Sequence, residues 1–268
     1  MQLNENYRVI HPGAKVGKDV QIGPFTTIAE HVEIGEGTVI GPNVCIMDYV
    51  RIGANGHIFP GAVIGAIPQD LKFAGEKSYV TIGNNVTIRE YVTINRGTGA
   101  SGKGVTVVED DCLLMSYVHI AHDCHIRKGV ILTSYVGLAG ETTIDAHAIV
   151  GGASVAHQFT KIGTYAMVAG GSLIRKDVPP FVLAGRHPLS YGGINLIGLR
   201  RSGFSPEQID RIRDVYRIIY QVGLNVSDAC RKVEEVIEPS EERDIILSFI
   251  RSSKRGIIPH RFDPEDHE

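Results

Sequence analysis

The sequence predicts an all-β chain coiled into a parallel β-helix and followed by a small α-helical segment. Three observations carry this. A large aliphatic residue recurs at every sixth position over most of the chain. A second column of small or β-branched residues runs two places ahead of it. The six-residue phase then fades after Ile174, where the spacing of amphipathic helices takes over.

The aliphatic column runs Ile10, Val16, Ile22, Ile28, Ile34, Ile40, Ile46, Ile52, Ile58 and Ile64, and resumes at Ile82, Ile88 and Ile94. It then slips by two and continues Val108, Leu114, Ile120, Ile126, Leu132, Leu138, Ile144, Val150, Ala156, Ile162, Val168 and Ile174. Of these 25 positions only Ala156 is not a large aliphatic, so the period is not a chance pattern. The small column holds residues such as Thr26, Val32, Thr38, Thr106, Val118, Thr142 and Ser154, and glycine often follows the aliphatic residue, as at Gly17, Gly23 and Gly35. A large and a small residue thus point inward, and a turn follows. Each hexad reads as a short strand plus a corner. Three hexads close one triangular coil, and coils stack at the strand spacing of about 4.8 Å.

Cys112 and Cys124 both fall in the small inward column and are expected as buried structural thiols. Twelve residues apart, they lie on different sides of a coil, too far for a disulfide. Two segments break the phase, at 66–79 (AIPQDLKFAGEKSY) and 97–104 (GTGASGKG). A rigid solenoid carries function in such insertions. The first, with Asp70 and Lys72 two residues apart, leans functional; the second reads equally well as a plain surface loop.

The domain division expected is 1–194 for the β-helix and 195–268 for the helical part. Ser205, Pro206 and Gln208 give an N-cap, a proline at the first helical position and a capping-box partner. Ile209, Ile212, Val215, Tyr216 and Ile219 follow on one face. Ser227 is expected to cap a second helix through Ala229, Val233, Val236 and Ile237, and Ser240 a third through Ile245, Ile246, Phe249 and Ile250. Three short helices cannot bury enough surface alone and should dock on the end of the prism.

Composition narrows the function classes. The 268 residues are 43% hydrophobic and 21% charged, with a net charge of −3, which gives no electrostatic footprint for nucleic acid. The first residues lack the basic start and apolar core of a signal peptide, and no apolar run approaches the ~18 residues of a spanning helix, so a cytoplasmic protein without stable membrane insertion is expected. The four cysteines form no CxxC pair.

Of the eleven histidines, His11, His31, His57, His147, His260 and His267 stand singly, while His119, His122 and His125 crowd into one stretch, YVHIAHDCH. With Ile120 inward, His119 and His122 face outward from neighbouring points of the coil. Asp123 can hold a ring N–H of His122 and support the imidazolium, as a general base requires. One coil is eighteen residues, so Gly140 stacks above His122, and Gln158, beside His157, stacks one coil further on. A glycine N–H there is open to an oxyanion. His125 reads as a plain outward polar residue. A metal site is the competing reading of a histidine cluster.

The repeat resembles the hexapeptide-repeat acyltransferases, and that resemblance implies a left-handed coil. Their zinc-dependent relatives space their histidines five apart rather than three as here. The motifs QDLKFAGE, VTINRGT, HIAHDC, AHQF, DVPPFV and NLIGLRRSGFS narrow the resemblance to the UDP-N-acetylglucosamine O-acyltransferases of lipid A synthesis. It implies a homotrimer with sites between neighbouring prisms, no metal or cofactor, a 3-hydroxyacyl-acyl carrier protein as donor and UDP-N-acetylglucosamine as acceptor. His122 then looks like the general base, Asp123 its orienting partner and the Gly140 N–H the oxyanion donor. Asp70, Lys72, His119, His157 and Gln158 look like substrate contacts, and Asn195 and Arg201 like contacts to the nucleotide diphosphate. Gly170 matches a position that limits acyl length. Arg200, Arg201, Lys254 and Arg255 suit an acidic carrier protein. Asn95 and Glu141 stand where better-known members carry histidine, and Ile197 and Ser202 also depart from the pattern. The alternatives are N-acyl transfer to a 3-amino UDP-sugar at the same site, the sister N-acyltransferase, whose additional N-terminal domain has no room before Ile10, or a zinc-dependent or non-catalytic protein on this fold.

Overall fold

A computed structural model describes residues 7–260; His267 lies outside them. The hexads form two-residue strands in three parallel faces, which build a triangular prism. Nine strands form the first face, from Val9–Ile10 to Leu173–Ile174. Eight form the second, from Lys15–Val16 to Lys161–Ile162, and ten the third, which opens on Gln21–Ile22. Stacking follows the eighteen-residue coil: His119 pairs with Gly137, and Gly137 with Val155. The aliphatic column is buried from Ile22 to Ile174. Ile10 and Val16, at one end of the stack, are exposed, because no coil among the described residues covers them.

The corners explain why six residues suffice for a strand and a turn. Most carry one residue in the left-handed region, and most of those are not glycine: Asn43 at φ 57°, Tyr117 at 64°, Asp123 at 59°, Glu141 at 60° and Phe159 at 67° among them. A non-glycine residue there costs roughly 1–2 kcal/mol. Stacking offsets part of it: the Tyr117 ring lies 5.1 Å from Tyr91 and 4.9 Å from Tyr135.

Both insertions leave the prism at the edge between the first and second faces. The step from Ile64 to Ile82 is eighteen residues rather than six, and that from Ile94 to Val108 is fourteen. Strands trim the first insertion slightly, since Val63–Ala66 and Tyr79–Ile82 take its outer residues. The second contains a short 3₁₀ turn, Gly99–Ser101.

Beyond Ile174 the chain ends the prism with an antiparallel hairpin, Val182–Gly185 against Ser190–Ile194. Four helices follow: α1 (Leu196–Arg201), α2 (Pro206–Gln221), α3 (Val226–Val236) and α4 (Glu241–Ser252). The six-residue α1 is too short to show a period in the sequence. The Ser205–Gln208 capping box is formed, and the expected face of α2 is buried. Ser240 caps α4.

For α3 the expectation fails. Asn225, not Ser227, is the N-cap: its side chain accepts from Asp228 N at 2.9 Å, and Val236 is exposed. An extended asparagine two residues earlier captures the first free N–H groups, which leaves Ser227 inside the first turn. Asn225→Ala should cost about 1 kcal/mol in thermal denaturation and Ser227→Ala much less. The helices dock on the prism end as expected: the Tyr216 hydroxyl donates to Pro180 O, and Ser253 Oγ to Asp177 Oδ2.

Candidate active site

The edge between the first and second faces gathers the chemistry. His122 follows the first-face strand His119–Ile120, and Asp123 occupies the left-handed corner position beside it. That backbone lets two neighbouring side chains meet, where an extended strand would send them to opposite faces. His122 Nδ1 lies 2.8 Å from Asp123 Oδ2. The dyad is buried, with His122 8% and Asp123 1% exposed.

Asp123 is held from three sides. Thr98 donates its N–H at 3.0 Å and its hydroxyl at 2.8 Å to Oδ2, and the Asp123 N–H donates to Thr106 Oγ1 at 2.8 Å. An ionised carboxylate only accepts hydrogen bonds, so a neutral ring paired with it carries its proton on Nδ1 and its lone pair on Nε2. Facing Nε2 at 3.5 Å is Asp70 Oδ2, from the first insertion. Asp70 Oδ1 accepts from Lys72 N at 2.9 Å, which fixes the loop that carries both residues; the Lys72 side chain is exposed.

Gly140 stacks on His122 as the repeat requires: Glu141 N donates to His122 O at 2.9 Å, and Phe159 N to Gly140 O at 3.2 Å. A Cβ at Gly140 would run into Nε2 and Cε1 of the His122 ring. Only glycine therefore lets the imidazole lie against this corner. The Gly140 N–H donates to no acceptor among the described residues. Gln158 is half-buried one coil further on, and the exposed His157 donates from Nδ1 to Gln158 O.

His119 sits one strand before the dyad. Its Nδ1 meets Thr93 Oγ1 at 2.7 Å, and burial lowers its pKa, which favours the neutral ring. His125 turns to the second face and binds Glu109 at 2.6 Å, away from the dyad. Cys112 and Cys124 are free and buried; burial raises their pKa values to about 11 and about 12, which leaves them inert. Among the described residues no three His, Cys, Asp or Glu side chains are grouped to hold a metal ion.

Three expected site residues lie on other edges of the same chain. Asn195 caps α1, accepting from Gly198 N and donating to Tyr165 O at 2.9 Å, at the corner between the second and third faces. Arg201 ends that helix. Gly170 lies at the corner between the third and first faces, where a Cβ would meet Gly152 O at 3.0 Å. A groove of about 850 Å³ opens on the second face beneath α4, lined by Lys103, His125, Arg127, Asp145 and Lys161; Asp123 borders it, but His122 does not.

Asn95 and Glu141 have local partners. Asn95 Nδ2 donates to Ile67 O at 3.1 Å, at the root of the first insertion. Glu141 meets Lys103 Nζ at 3.8 Å, at the tip of the second. Thr98 escaped the sequence reading, although the step lengths place the second insertion on the dyad's edge.

Residues 177–258 match the second domain of UDP-N-acetylglucosamine O-acyltransferase, and residues 13–47 match the bacterial transferase hexapeptide repeat. The acyl-[acyl-carrier-protein]–UDP-N-acetylglucosamine O-acyltransferase of Xylella fastidiosa is 48% identical, over 93% of this chain and 95% of the relative. That of Stenotrophomonas maltophilia is 43% identical over the same shares. The crystal structure of a UDP-N-acetylglucosamine acyltransferase from Bacteroides fragilis superposes with a TM-score of 0.93 at 52% identity, covering 96% of this chain and 100% of that one. The Arabidopsis enzyme superposes at 0.84 and 33% identity, covering 96% and 100%. The fold is thus the left-handed parallel β-helix with a small helical C-terminal part. Names and structures alike favour O-acyl transfer over the N-acyl, zinc or non-catalytic alternatives. With such identity sustained over nearly its whole length, the chain belongs to the UDP-N-acetylglucosamine O-acyltransferase family.

Proposed function

We propose that the protein moves a 3-hydroxyacyl chain from acyl carrier protein to the 3-hydroxyl of UDP-N-acetylglucosamine, the first step of lipid A synthesis, with His122 as general base. The observation that carries this is the His122 imidazole, fixed at Nδ1 by buried Asp123, packed against the Gly140 corner and facing Asp70 Oδ2 at 3.5 Å from Nε2. The sugar hydroxyl gives its proton to Nε2 as its oxygen attacks the thioester carbonyl. The tetrahedral oxyanion accepts the Gly140 N–H. On collapse the C–S bond breaks, and the imidazolium returns its proton to the leaving thiolate. Asp123 supports the imidazolium at one nitrogen. Asp70 gains attraction at the other only once Nε2 is protonated, and so favours the transition state.

The remaining roles follow from placement. Asp70, Lys72, His119, His157 and Gln158 line the same edge as the base and suit substrate contacts. Above His119 the first face turns apolar through Gly137, Val155 and Leu173, the last two 46% and 44% exposed. This strip leads from the base toward the edge that holds Gly170 and suits a long acyl chain whose length Gly170 limits. Asn195 and Arg201, on another edge, reach nucleotide only at a neighbouring subunit's base, which favours a homotrimer with shared sites. The basic residues Arg200, Arg201, Lys254 and Arg255 suit the acidic carrier. Among the described residues no helix is long and apolar enough to cross a membrane; action in the cytoplasm is part of the same proposal.

Mass spectrometry of the product formed from UDP-N-acetylglucosamine and a set of 3-hydroxyacyl carrier proteins tests the reading. A mass gain of one 3-hydroxyacyl group, released by mild base as an ester is, supports it. No transfer from any donor overturns it.

A further inference from the structure

The base stands at the end of a line of contacts that begins in the first insertion. Glu76 Oε1 accepts the Gly99 N–H at 2.6 Å, and Oε2 accepts the Ala74 N–H at 2.8 Å. The Gly99 bond is also the main cause that holds the Glu76 carboxyl below its usual range. The first insertion is thereby fastened to the second. The next residue, Thr98, is 1% exposed and gives both its N–H and its hydroxyl to Asp123, which in turn holds His122 Nδ1. With three donors on one carboxylate, the plane of Asp123 is set, and with it the direction of the imidazole. One segment therefore reaches both ring nitrogens: Asp70 faces Nε2 directly, and Glu76 acts on Nδ1 through Gly99, Thr98 and Asp123.

We propose that Thr98 and Glu76 are positioning residues, and that they make the alignment of the His122 base depend on the docking of the two insertions against each other. This rests on His122 being the general base. The insertion that carries the proposed sugar contacts Asp70 and Lys72 would then also tune the base, so that a displaced loop weakens chemistry as well as binding.

Thr98→Val removes the hydroxyl donor and keeps the volume, the N–H and the extended backbone at φ −122°. A hydrogen bond to a charged group supports a fall in kcat of about tenfold or more, with KM for UDP-N-acetylglucosamine little changed. Thr98→Ser should restore most of it. In an Asp123→Ala background the same substitution should cost nothing further, because its partner is gone. Glu76→Ala should lower kcat in the same way and add little to Thr98→Val, while Glu76→Gln, which keeps an acceptor oxygen, should retain activity. Wild-type kcat in Thr98→Val, or an undiminished loss in the Asp123→Ala background, overturns the role of Thr98. Wild-type kcat in Glu76→Ala overturns the coupling between insertions. If Thr98→Val does not fold, the two Glu76 variants alone decide. Full turnover in His122→Ala would instead overturn the underlying base assignment, so the two failures are told apart.

Discussion

His122→Ala is expected to lower turnover by a factor of about 10² to 10⁴, the usual contribution of a positioned general base. The loss has two sources. The sugar hydroxyl is too weak an acid to attack a thioester without giving up its proton, and in the proposed mechanism Nε2 of His122 is the lone pair that takes it. The leaving thiolate also loses its proton donor. Asp123 and Thr98 stay in place in this variant, so the corner keeps its frame of hydrogen bonds. Circular dichroism and the melting temperature should therefore remain close to wild type. Steady-state turnover with purified 3-hydroxyacyl carrier protein is the measurement, and a variant that kept most of its activity would end the assignment.

Gly140→Ala is the second large effect, expected at about 10²- to 10³-fold in kcat, within the range of losing a positioned general base. The methyl group acts twice. It cannot coexist with the His122 ring in its present place, since the added carbon lands on Nε2 and Cε1. The ring must swing, and its bond to Asp123 suffers. Relief of that clash also shifts the corner that carries the N–H proposed as oxyanion donor. Gly140 is not among the positive-φ positions, so backbone strain plays no part. Gly56→Ala is the control: its Cβ would meet Thr38 Cγ2 at 3.5 Å, an ordinary contact, and the site lies elsewhere. Equal losses in the two variants would point to general destabilisation in place of a local role for Gly140.

Much of this was legible in the residues because the repeat sets distances as well as structure. The column from Ile22 to Ile174 is buried as its period requires, and the eighteen-residue coil places Gly140 on His122. The inward position of Cys112 and Cys124 followed from the same spacing. What escaped the reading depends on interactions without a period. Asn225 and Ser227 are both good caps, and only the entry path of the chain selects between them. Thr98 sits in a glycine-rich stretch whose local sequence does not declare where it folds. Its role arises from a neighbour 25 residues away. A site role for Asn195 comes only from resemblance; within one chain its amide is engaged at the cap of α1 and at Tyr165.

The placement of both insertions on one edge has a consequence for how such an enzyme can change over generations. Extra residues inserted at that edge leave the strands of the next coil still paired, as Tyr79 with Val105 and Thr93 with His119, and the eighteen-residue pairing resumes at Val107 and His125. The loops can lengthen, shorten or exchange side chains while the coils that carry His122 and Gly140 keep their register. Substrate contacts carried on the loops are thus free to change without each step having to be matched by repacking of the core. The same arrangement sets a limit: a residue such as Thr98, which lies in an inserted loop yet grips the dyad, is the point where that freedom stops.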